Sequence, residues 1–373
     1  MTDRPSRNSR RTLLHEIALP QSCTDWCDPV ITQNVVCVVV TYGRRSALCV
    51  EAAESALHNG ARRVLVVDNG SAQEDARALR DYAESRGERI HLLVNSKNAG
   101  SAPAFSRGIA SALESGAEFV WLLDDDNVAQ VGCLKHLMIE WSRLADSGHR
   151  SGLIAVGPLR GFRDGDPNAD AELVSRSKAH YSPLERSFVD FDWATFVAKA
   201  LNRRSRPDPQ RLARIRVQGT FDLKYAPWGG LLLHKSVFAT VGMPLSEYVV
   251  YCDDTEFTAR IVSAGGVLSV TPRALVHDIS EKWNAPGFRA ASYMTSRHPA
   301  LLYYSVRNQV HTERLRRGRL MTPAFILNGA GFLMLATVFA ARSRRADNFR
   351  LMMLAVRDGL AVPLSSRHEI PLA

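Results

Sequence analysis

The sequence predicts an α/β fold in which a mostly parallel sheet is flanked by helices. From residue 35 to residue 123, apolar runs rich in β-branched residues alternate with amphipathic stretches of helical spacing. Strands and helices that alternate in this way form right-handed crossovers in a parallel sheet. Each predicted strand also ends in polar residues or glycine. Because ligands bind beyond the carboxyl ends of such strands, the pattern predicts a binding crevice as well as a fold.

The first half of the chain alternates predicted strands and helices in regular order. The strands cover residues 35–40, 63–67, 90–94 and 119–123, and the helices cover 46–59, 73–85 and 102–114. The polar ends of the strands should converge on one crevice: Thr41-Tyr42, Asp68-Asn69-Gly70, Asn98-Ala99-Gly100 and Asp124-Asp125-Asp126. The loop after the first strand lacks the Gly-x-Gly-x-x-Gly spacing of dinucleotide-binding folds.

The second half begins with a stretch of different composition. Residues 160–218 are rich in arginine, aspartate and proline. We expect an insertion over the active site or an interaction lobe, with a solvated loop of no direct function as the alternative. A short helix over 236–241, a helix over 255–264 and a strand over 267–270 then continue the α/β pattern.

Composition limits the partners and the compartment. At 373 residues, the chain predicts one large domain with appendages. A net charge of +9 favours an anionic partner: nucleic acid, a nucleotide substrate or an anionic membrane surface. Because basic residues concentrate at both ends and in one middle stretch, surface attachment is favoured and nucleic acid is not expected. The six cysteines are scattered, which predicts reduced thiols and a cytosolic protein.

The N-terminal segment 1–33 is expected to be basic and disordered, since it is rich in arginine and serine. Its first 22 residues contain no apolar stretch long enough for a signal peptide.

The aspartate triplet 124–126 follows a bulky apolar run and indicates a metal site. Three carboxylates at the end of a buried strand repel one another, and a divalent cation with hard oxygen ligands relieves that repulsion. A metal held in this way carries the phosphates of a nucleotide. The alternative is an acidic loop in which Asp126 or Asn127 caps the next helix.

A second acidic pair, Asp253-Asp254, lies at a predicted helix N terminus. Carboxylates are favoured at that position electrostatically, so helix capping is one interpretation. The other is a general base that removes the proton from a hydroxyl nucleophile. Trp228, with the Gly229-Gly230 backbone, offers a surface for a sugar ring. His277 is either a structural histidine or a nitrogen ligand to the metal.

Taken together and in this order, these motifs resemble those of inverting family-2 glycosyltransferases of the GT-A type. The resemblance covers residues 35–278 and includes the motifs Val38-Val39-Val40-Thr41-Tyr42, Val66-Val67-Asp68-Asn69-Gly70-Ser71, Asn98-Ala99-Gly100, Trp121-Leu122-Leu123-Asp124-Asp125-Asp126, Trp228-Gly229-Gly230, Asp253-Asp254-Thr255-Glu256 and His277. Within the family, three features are most similar to bacterial galactofuranosyl- and rhamnosyltransferases: the aspartate triplet, the Asp253-Asp254-Thr255-Glu256 element and the later stretch Tyr303-Tyr304-x-x-Arg307-Asn308.

The resemblance implies a role for each matching residue. The residues implied in binding the nucleotide sugar are Thr41, Tyr42, Arg44, Asp68, Asn98, Gly100, Asp124 and Asp125. The implied ligands of Mn²⁺ or Mg²⁺ are Asp124, Asp126 and His277. Asp254 would be the catalytic base. The residues implied in the acceptor site are Trp228, Gly229, Gly230, Asp253 and Glu256. One departure is Pro103-Ala104 after Gly100, where the family often has other small residues or glycine.

The expected activity is metal-dependent transfer, with inversion, of galactofuranose or rhamnose from a UDP- or dTDP-linked donor. The acceptor would be a hydroxyl of a cell-envelope glycan or of a polyprenyl-linked lipid. A nucleotidyltransferase and a catalytically inactive membrane-associated scaffold are the alternatives. The nucleotidyltransferase would require an early glycine-rich loop with basic residues for a triphosphate, which Thr41-Tyr42-Gly43-Arg44-Arg45 fits poorly.

The C-terminal region is expected to be helical and to associate with the membrane. Residues 323–341 are largely apolar, with arginines on both sides, and three interpretations stay open: an interfacial helix or one packed against a partner, a core helix, or a spanning helix. Residues 348–360 have amphipathic spacing. The predicted organisation is a basic segment over 1–33, a GT-A domain over 34–285 and a helical region over 286–373. We expect a cytoplasmic protein at the inner face of the cell membrane, and a homo-oligomer is left open.

Overall fold

The computed structural model describes residues 34–149, 153–162, 187–194, 196–197, 219–280, 289–316 and 321–361, together with residues 363, 364, 368 and 370–372. The predicted N-terminal segment 1–33 and most of the predicted insertion at 160–218 therefore lie outside the described residues. In the described part, helices cover both faces of one sheet, and further helices follow it toward the C terminus.

The first half of the sheet has the predicted alternation. Its strands are β1 (Val35–Gly43), β2 (Arg63–Ser71), β3 (Ile90–Asn95) and β4 (Phe119–Asp124), and its helices are α1 (Ser46–His58), α2 (Gln73–Arg86) and α3 (Ser101–Glu114). Strand β1 pairs in parallel with both β2 and β4, and β2 pairs in parallel with β3. Strands β1 and β2 continue into the polar residues that follow their apolar runs. The hydrogen bonds between neighbouring strands join backbone groups, so they do not require apolar side chains.

The second half of the sheet is mixed, so the sheet is less parallel than predicted. Its elements are β5 (Asn127–Ala129), α4 (Cys133–Asp146), β6 (Ile154–Phe162), β7 (Phe221–Asp222), β8 (Leu232–His234), α5 (Lys235–Val241), α6 (Asp253–Ser263) and β9 (Val267–Asp278). The described strands are ordered β3-β2-β1-β4-β8-β6-β9-β5, and β7 also pairs with β9. Strand β8 is antiparallel to both β4 and β6.

Two apolar clusters lie on opposite faces of the sheet. Alternate β1 residues face opposite sides, with Val35, Cys37 and Val39 in the cluster under α1 and α4. Val36 and Val38 belong to the cluster formed with α3, α5 and α6. The continuous apolar run in β1 is thus explained by burial on both faces. Three described cysteines, Cys37, Cys49 and Cys133, are buried as free thiols.

The C-terminal helices form a third apolar cluster. They are α7 (Arg289–Thr295), α8 (Pro299–Arg316), α9 (Pro323–Ser343) and α10 (Ala346–Gly359). One face of α9 is buried through Phe325, Phe332 and Ala336, whereas Leu327 and Met334 on its other face are exposed. By length and composition, α9 is the one helix in the described ranges that could cross a membrane, and 39% of its most apolar window is buried in the protein.

Candidate active site

The polar ends of the parallel strands meet at one edge of the sheet, as the sequence predicts. In the β1–β2 ladder Thr41 is the partner of Asp68, and in the β1–β4 ladder Val40 is the partner of Asp124. Because the strands are parallel and in register, the residues that follow them line a common crevice.

Asp125 is buried and forms a tight ion pair in that crevice. Its carboxylate is 3% exposed, accepts a hydrogen bond from Thr41 Oγ1 at 2.8 Å, and lies 2.7 Å from Arg45 Nη2. Burial raises the pKa of Asp125, and the hydrogen bonds and charge of Arg45 oppose that rise. The sequence motif drew attention to Arg44, but Arg44 is exposed and the neighbouring Arg45 provides the contact. Asp125 therefore fixes the β1–α1 loop against the end of β4.

Asp126 lies beside this pair and has several partners of its own. Its Oδ2 accepts hydrogen bonds from Arg45 Nη2 at 2.8 Å and from Ser280 Oγ at 2.5 Å. Its Oδ1 accepts a hydrogen bond from Asn127 Nδ2 at 3.2 Å. The interpretation of Asp126 or Asn127 as a helix N-cap is wrong, because Asn127 begins β5 and α4 begins only at Cys133.

Asp124 and Asp278 meet around Arg160, a residue of β6 that the sequence analysis did not single out. Arg160 Nη2 lies 2.8 Å from Asp278 Oδ1 and 3.7 Å from Asp124 Oδ2. Burial raises the pKa of Asp124 to about 8; Arg160 opposes this rise, and the charges of Asp126, Asp278 and Asp125 add to it. The crevice thus concentrates more negative charge than its arginines neutralise.

His277 precedes Asp278 on β9. Because successive side chains of a strand project to opposite faces, His277 does not share the side on which Asp278 contacts Arg160. Its Nδ1 is buried and has no hydrogen-bond partner within the described part of the chain. Across the ranges that the structure describes, no group of three His, Cys, Asp or Glu side chains is arranged to hold a metal ion. The predicted ligands Asp124, Asp126 and His277 are therefore not assembled as one coordination set here.

The pair Asp253-Asp254 opens α6 and has two different environments. Asp253 is buried and accepts hydrogen bonds at Oδ2 from Ser101 Oγ at 2.8 Å and from Trp228 Nε1 at 3.0 Å. Burial raises the pKa of Asp253, and these two hydrogen bonds oppose the rise. Asp253 therefore ties the start of α6 to α3 and to the Trp228 segment.

Asp254, unlike Asp253, is partly exposed, and its pKa lies near neutrality. Burial raises the pKa of Asp254 to about 7, and the charge of Asp253 adds to the rise. The amide of Thr255, at 2.6 Å from Oδ1, and the charge of Arg160 oppose it. Both aspartates lie in the first turn of α6, where carboxylates are favoured, but neither is its N-cap, which is Cys252.

Trp228 does not form a surface for a sugar ring in this structure. It is 3% exposed and lies between Phe105 and Phe257, with ring centroids 5.1 and 5.4 Å away. Its contact with the site is the hydrogen bond to Asp253. At Gly229 an added Cβ would collide with Asn127 Oδ1 and the guanidinium of Arg160, so only glycine allows this close approach.

The predicted donor residues lie around the same crevice with different exposure. Tyr42 is 43% exposed, whereas Asp68 is 2% exposed and accepts a hydrogen bond from the amide of Ser71 at 2.8 Å. Asn98 Oδ1 accepts hydrogen bonds from Asn69 Nδ2 and from the amide of Gly100, both at 3.0 Å.

Glu256, predicted at the acceptor site, is buried and paired inside the protein. Its Oε1 lies 2.8 Å from Arg260 Nε on the same helix, and burial raises the pKa of Glu256. A small cleft does adjoin the site, with an empty volume of about 330 Å³. Its lining includes Arg160 and Gly229 together with the apolar residues Pro158, Leu223, Pro227 and Val270.

The architecture and the acidic crevice define the class of the protein. A parallel β3-β2-β1-β4 unit, an antiparallel β8 next to β4, and carboxylates directly after β4 are the features of a GT-A glycosyltransferase.

Comparison with known proteins matches part of the chain to a family. Residues 36–148 match the family described as Glycosyl transferase family 2. The chain therefore carries a family 2 glycosyltransferase domain and is a glycosyltransferase. The nucleotidyltransferase alternative is wrong, because the matched domain belongs to a different class of enzyme.

Two curated relatives have named activities. The chain is 24% identical over 338 residues to the dTDP-rhamnosyl transferase RfbF of Shigella flexneri, covering 88% of this chain and 96% of that protein. It is 33% identical over 239 residues to the galactofuranosyltransferase GlfT1 of Mycobacterium tuberculosis, covering 63% of this chain and 66% of that protein.

Solved structures of glycosyltransferases are more distantly similar. GalNAc-T7 with UDP, GalNAc and Mn²⁺ is 13% identical, with a TM-score of 0.48 over 87% of this chain and 56% of that one. The mannosyltransferase PcManGT from Pyrobaculum calidifontis, in complex with GDP-Man and Mn²⁺, is 15% identical, with a TM-score of 0.44 over 88% of each chain.

Proposed function

We propose that this glycosyltransferase moves galactofuranose or rhamnose from a UDP- or dTDP-linked donor to a hydroxyl of a cell-envelope glycan or lipid-linked acceptor. The observation that carries the proposal is the Asp254 carboxyl at the start of α6. It is partly exposed, is near Arg160, and has a pKa raised to about 7. A carboxyl of this kind accepts a proton near neutral pH, which a hydroxyl nucleophile requires. The names of RfbF and GlfT1 support the choice of sugars.

The proposed reaction is a single displacement. Asp254 takes the proton of the acceptor hydroxyl as its oxygen forms a bond to the anomeric carbon of the donor. The bond from that carbon to the diphosphate oxygen breaks on the opposite face, so the configuration inverts and a nucleoside diphosphate leaves. Asp253 is fixed by Ser101 and Trp228 and thereby positions Asp254.

A divalent cation, Mn²⁺ or Mg²⁺, fits the chemistry of the crevice. Burial raises the pKa of Asp124 to about 8, and the neighbouring charges of Asp126 and Asp278 add to that rise. The buried Nδ1 of His277 lacks a partner among the described residues. We propose Asp124, Asp126 and His277 as the residues that would hold the cation, which requires their side chains to come together from the separate positions that they have here. The cation would neutralise charge on the leaving diphosphate. To bind the cation, Asp126 would give up its hydrogen bonds with Arg45 and Ser280.

The donor is proposed to lie over the carboxyl ends of β1, β2 and β4. In this arrangement Thr41, Tyr42 and Arg44 border the base and ribose, and Asp68 faces the uracil or thymine ring. Asn98 and Gly100 lie near the ribose and diphosphate. Asp124 and Asp125 border the rest of the nucleotide-sugar site. Since both oxygens of Asp125 already contact Arg45 or Thr41, we assign Asp125 an indirect role in shaping the site.

The acceptor is proposed to enter from the side of the cleft beside Arg160 and Gly229. Its lining is mainly apolar, which suits the apolar face of a sugar ring. Gly230 shapes this segment, and Trp228 and Glu256 support it from within the protein. We extend the proposal to a cytoplasmic enzyme at the membrane, whose C-terminal helices, over 286–373, approach a polyprenyl-linked acceptor.

A panel of sugar nucleotides tests the proposal. We expect UDP-galactofuranose or dTDP-rhamnose to raise the melting temperature in the presence of Mn²⁺, and nucleoside diphosphate to be released when an acceptor hydroxyl is supplied. Stabilisation by a different sugar nucleotide alone would contradict the proposed donors. No release with any donor would instead favour the inactive scaffold.

A further inference from the structure

The loop that delivers Asp254 to the site has an unfavourable backbone. Residues 247–252 immediately precede α6, and Val249 has φ 61° and ψ −70°. The amide of Val250 donates a hydrogen bond to the carbonyl of Tyr248 at 2.7 Å, which makes this a γ-turn with positive φ. Turns of this type are rare and strained, especially at a β-branched residue. Tyr251 and Cys252 also have positive φ, at 66° and 59°.

Asn308 of α8 forms hydrogen bonds with this loop. Its side chain is completely buried. The Nδ2 group lies within hydrogen-bonding distance of three acceptors in the loop, the carbonyl oxygens of Tyr248 at 2.6 Å, Val250 at 2.8 Å and Tyr251 at 2.9 Å. The two amide hydrogens of Asn308 thus reach carbonyl groups on both sides of the strained residue Val249.

Arg307 fixes the orientation of Asn308. Its Nε donates to Asn308 Oδ1 at 2.9 Å, which directs the amide nitrogen toward the loop. Its Nη2 donates to the carbonyl of Glu247 at the start of the loop. The guanidinium also lies 4.8 Å from the ring centroid of Tyr304 and is 2% exposed, so it is held in place from several directions.

The opposite side of the loop is held by α3. The amide of Ala102 donates to the carbonyl of Val249 at 3.0 Å. Gly100, with φ 95°, approaches that carbonyl so closely that an added Cβ would overlap it. The loop therefore lies between the N terminus of α3, which borders the donor side, and the buried face of α8.

We propose that Asn308, oriented by Arg307, is a positioning residue that holds the strained loop and thereby fixes Asp254 in its reactive position; this inference rests on the proposed role of Asp254 as the base. Without these hydrogen bonds, the loop would relax toward ordinary negative φ values and α6 would lose its fixed starting point. Helix α8 is thus part of the catalytic apparatus, although it lies outside the matched family domain of residues 36–148.

The variant Asn308→Asp tests the hydrogen bonds from Asn308 to the loop with little change in side-chain shape. An aspartate still accepts from Arg307 but cannot donate to the loop carbonyls when ionised. We expect kcat to fall by about 10- to 100-fold, because small misplacements of a reacting group have effects of that size, with KM for the donor changed less than threefold. We also expect faster hydrogen exchange at the amides of Tyr248, Val249 and Val250.

Two further variants separate positioning from general destabilisation. Glu313→Gln changes another buried residue of α8, whose Oε2 accepts from the amide of Val189 at 2.9 Å, away from the loop. It should leave exchange at residues 248–250 unchanged. Thr312→Val removes the contact between Thr312 Oγ1 and the Tyr248 hydroxyl at 3.1 Å. Like Asn308→Asp, it should lower kcat and speed hydrogen exchange in the loop, but by smaller amounts. This milder variant serves as the test if Asn308→Asp does not fold.

Unchanged kcat and unchanged exchange in Asn308→Asp would overturn the inference, as would equal exchange changes in Glu313→Gln. Failure of the proposed function has a different signature. In that case Asp254→Asn keeps its transfer activity, while the exchange measurement still reports whether Asn308 holds the loop.

Discussion

At the residue scale, the protonation state of Asp254 should control the pH dependence of transfer. The pKa of Asp254 is raised to about 7 by burial and by Asp253, so the carboxylate form needed by a base is lost as the pH falls through 7. At pH 5 only about one hundredth of the enzyme would be competent, so kcat should be about 1% of its value on the alkaline plateau. Initial rates at saturating donor from pH 5 to 9 measure this. A flat profile would exclude Asp254 as the base.

Asp126 should link nucleotide affinity to the metal. Replacing Asp126 by alanine removes one proposed ligand, so nucleoside diphosphate binding in Mn²⁺ should weaken about 10-fold or more, as measured by calorimetry. The control is the same titration in EDTA, where the variant and the native protein should differ much less. Equal affinities in Mn²⁺ would mean that the contacts of Asp126 with Arg45 and Ser280 are its whole role.

Several site residues could be found in the sequence, and others could not. The triplet 124–126 and the pair 253–254 are visible because acidic residues directly follow an apolar run or open a helix. Arg160 has no such signal, since its importance arises from contacts with Asp124 and Asp278, which lie far from it in the chain. The predicted ligand His277 identified the end of β9 as part of the site. The side chain that contacts Arg160 is that of the next residue, Asp278, which was not predicted.

At the element scale, the segment around Trp228 should act through α6. Trp228→Phe keeps an aromatic ring between Phe105 and Phe257 but removes the N–H that donates to Asp253. Loss of a hydrogen bond to a buried carboxylate should lower stability by about 1.5–3 kcal/mol. It should also lower kcat about 10-fold, because the start of α6 is less firmly held.

Trp141→Phe is the matched control for this change. Trp141 lies on α4, and its Nε1 has no hydrogen-bond partner among the described residues, so the same substitution removes no such bond. Urea unfolding and steady-state rates of both variants would be compared. Equal effects on kcat would show that Trp228 contributes only packing.

Most elements could be predicted from periodicity, but the way they pair could not. The apolar runs located β1, β2 and β4 because those strands are buried on both faces, whereas in β3 only Ile90 is fully buried. The strands β5, β7 and β8 have only two or three residues, too few to give a pattern, and their antiparallel pairings make the sheet mixed. Strand β9 was predicted as a short segment, whereas it spans 12 residues and pairs with the whole of the 9-residue strand β6.

At the scale of the whole molecule, the exposed face of α9 should mediate attachment to anionic membranes. Leu327 is 64% exposed and Met334 is 53% exposed, and the exposed Arg342 and Arg344 follow at the end of the helix. Apolar residues next to arginines suit the interface of an anionic bilayer. We predict co-sedimentation with phosphatidylglycerol vesicles that decreases at high salt and falls at least about fivefold in the double variant Leu327→Glu, Met334→Glu.

A glutamate at an exposed apolar position elsewhere controls for added charge. Val131, between β5 and α4, is 78% exposed, and Val131→Glu should leave vesicle binding nearly unchanged. If both variants lose binding equally, net charge rather than the α9 face determines attachment.

The account as a whole depends on Asp254 removing a proton from the acceptor, and Asp254→Asn tests this most directly. The substitution preserves the shape of the side chain but removes its basicity. Transfer from the donor identified by the panel should fall by at least about 1,000-fold, while donor affinity measured by calorimetry stays within about twofold of the native value. Transfer at the native rate by a folded Asp254→Asn protein would contradict the mechanism proposed for this enzyme.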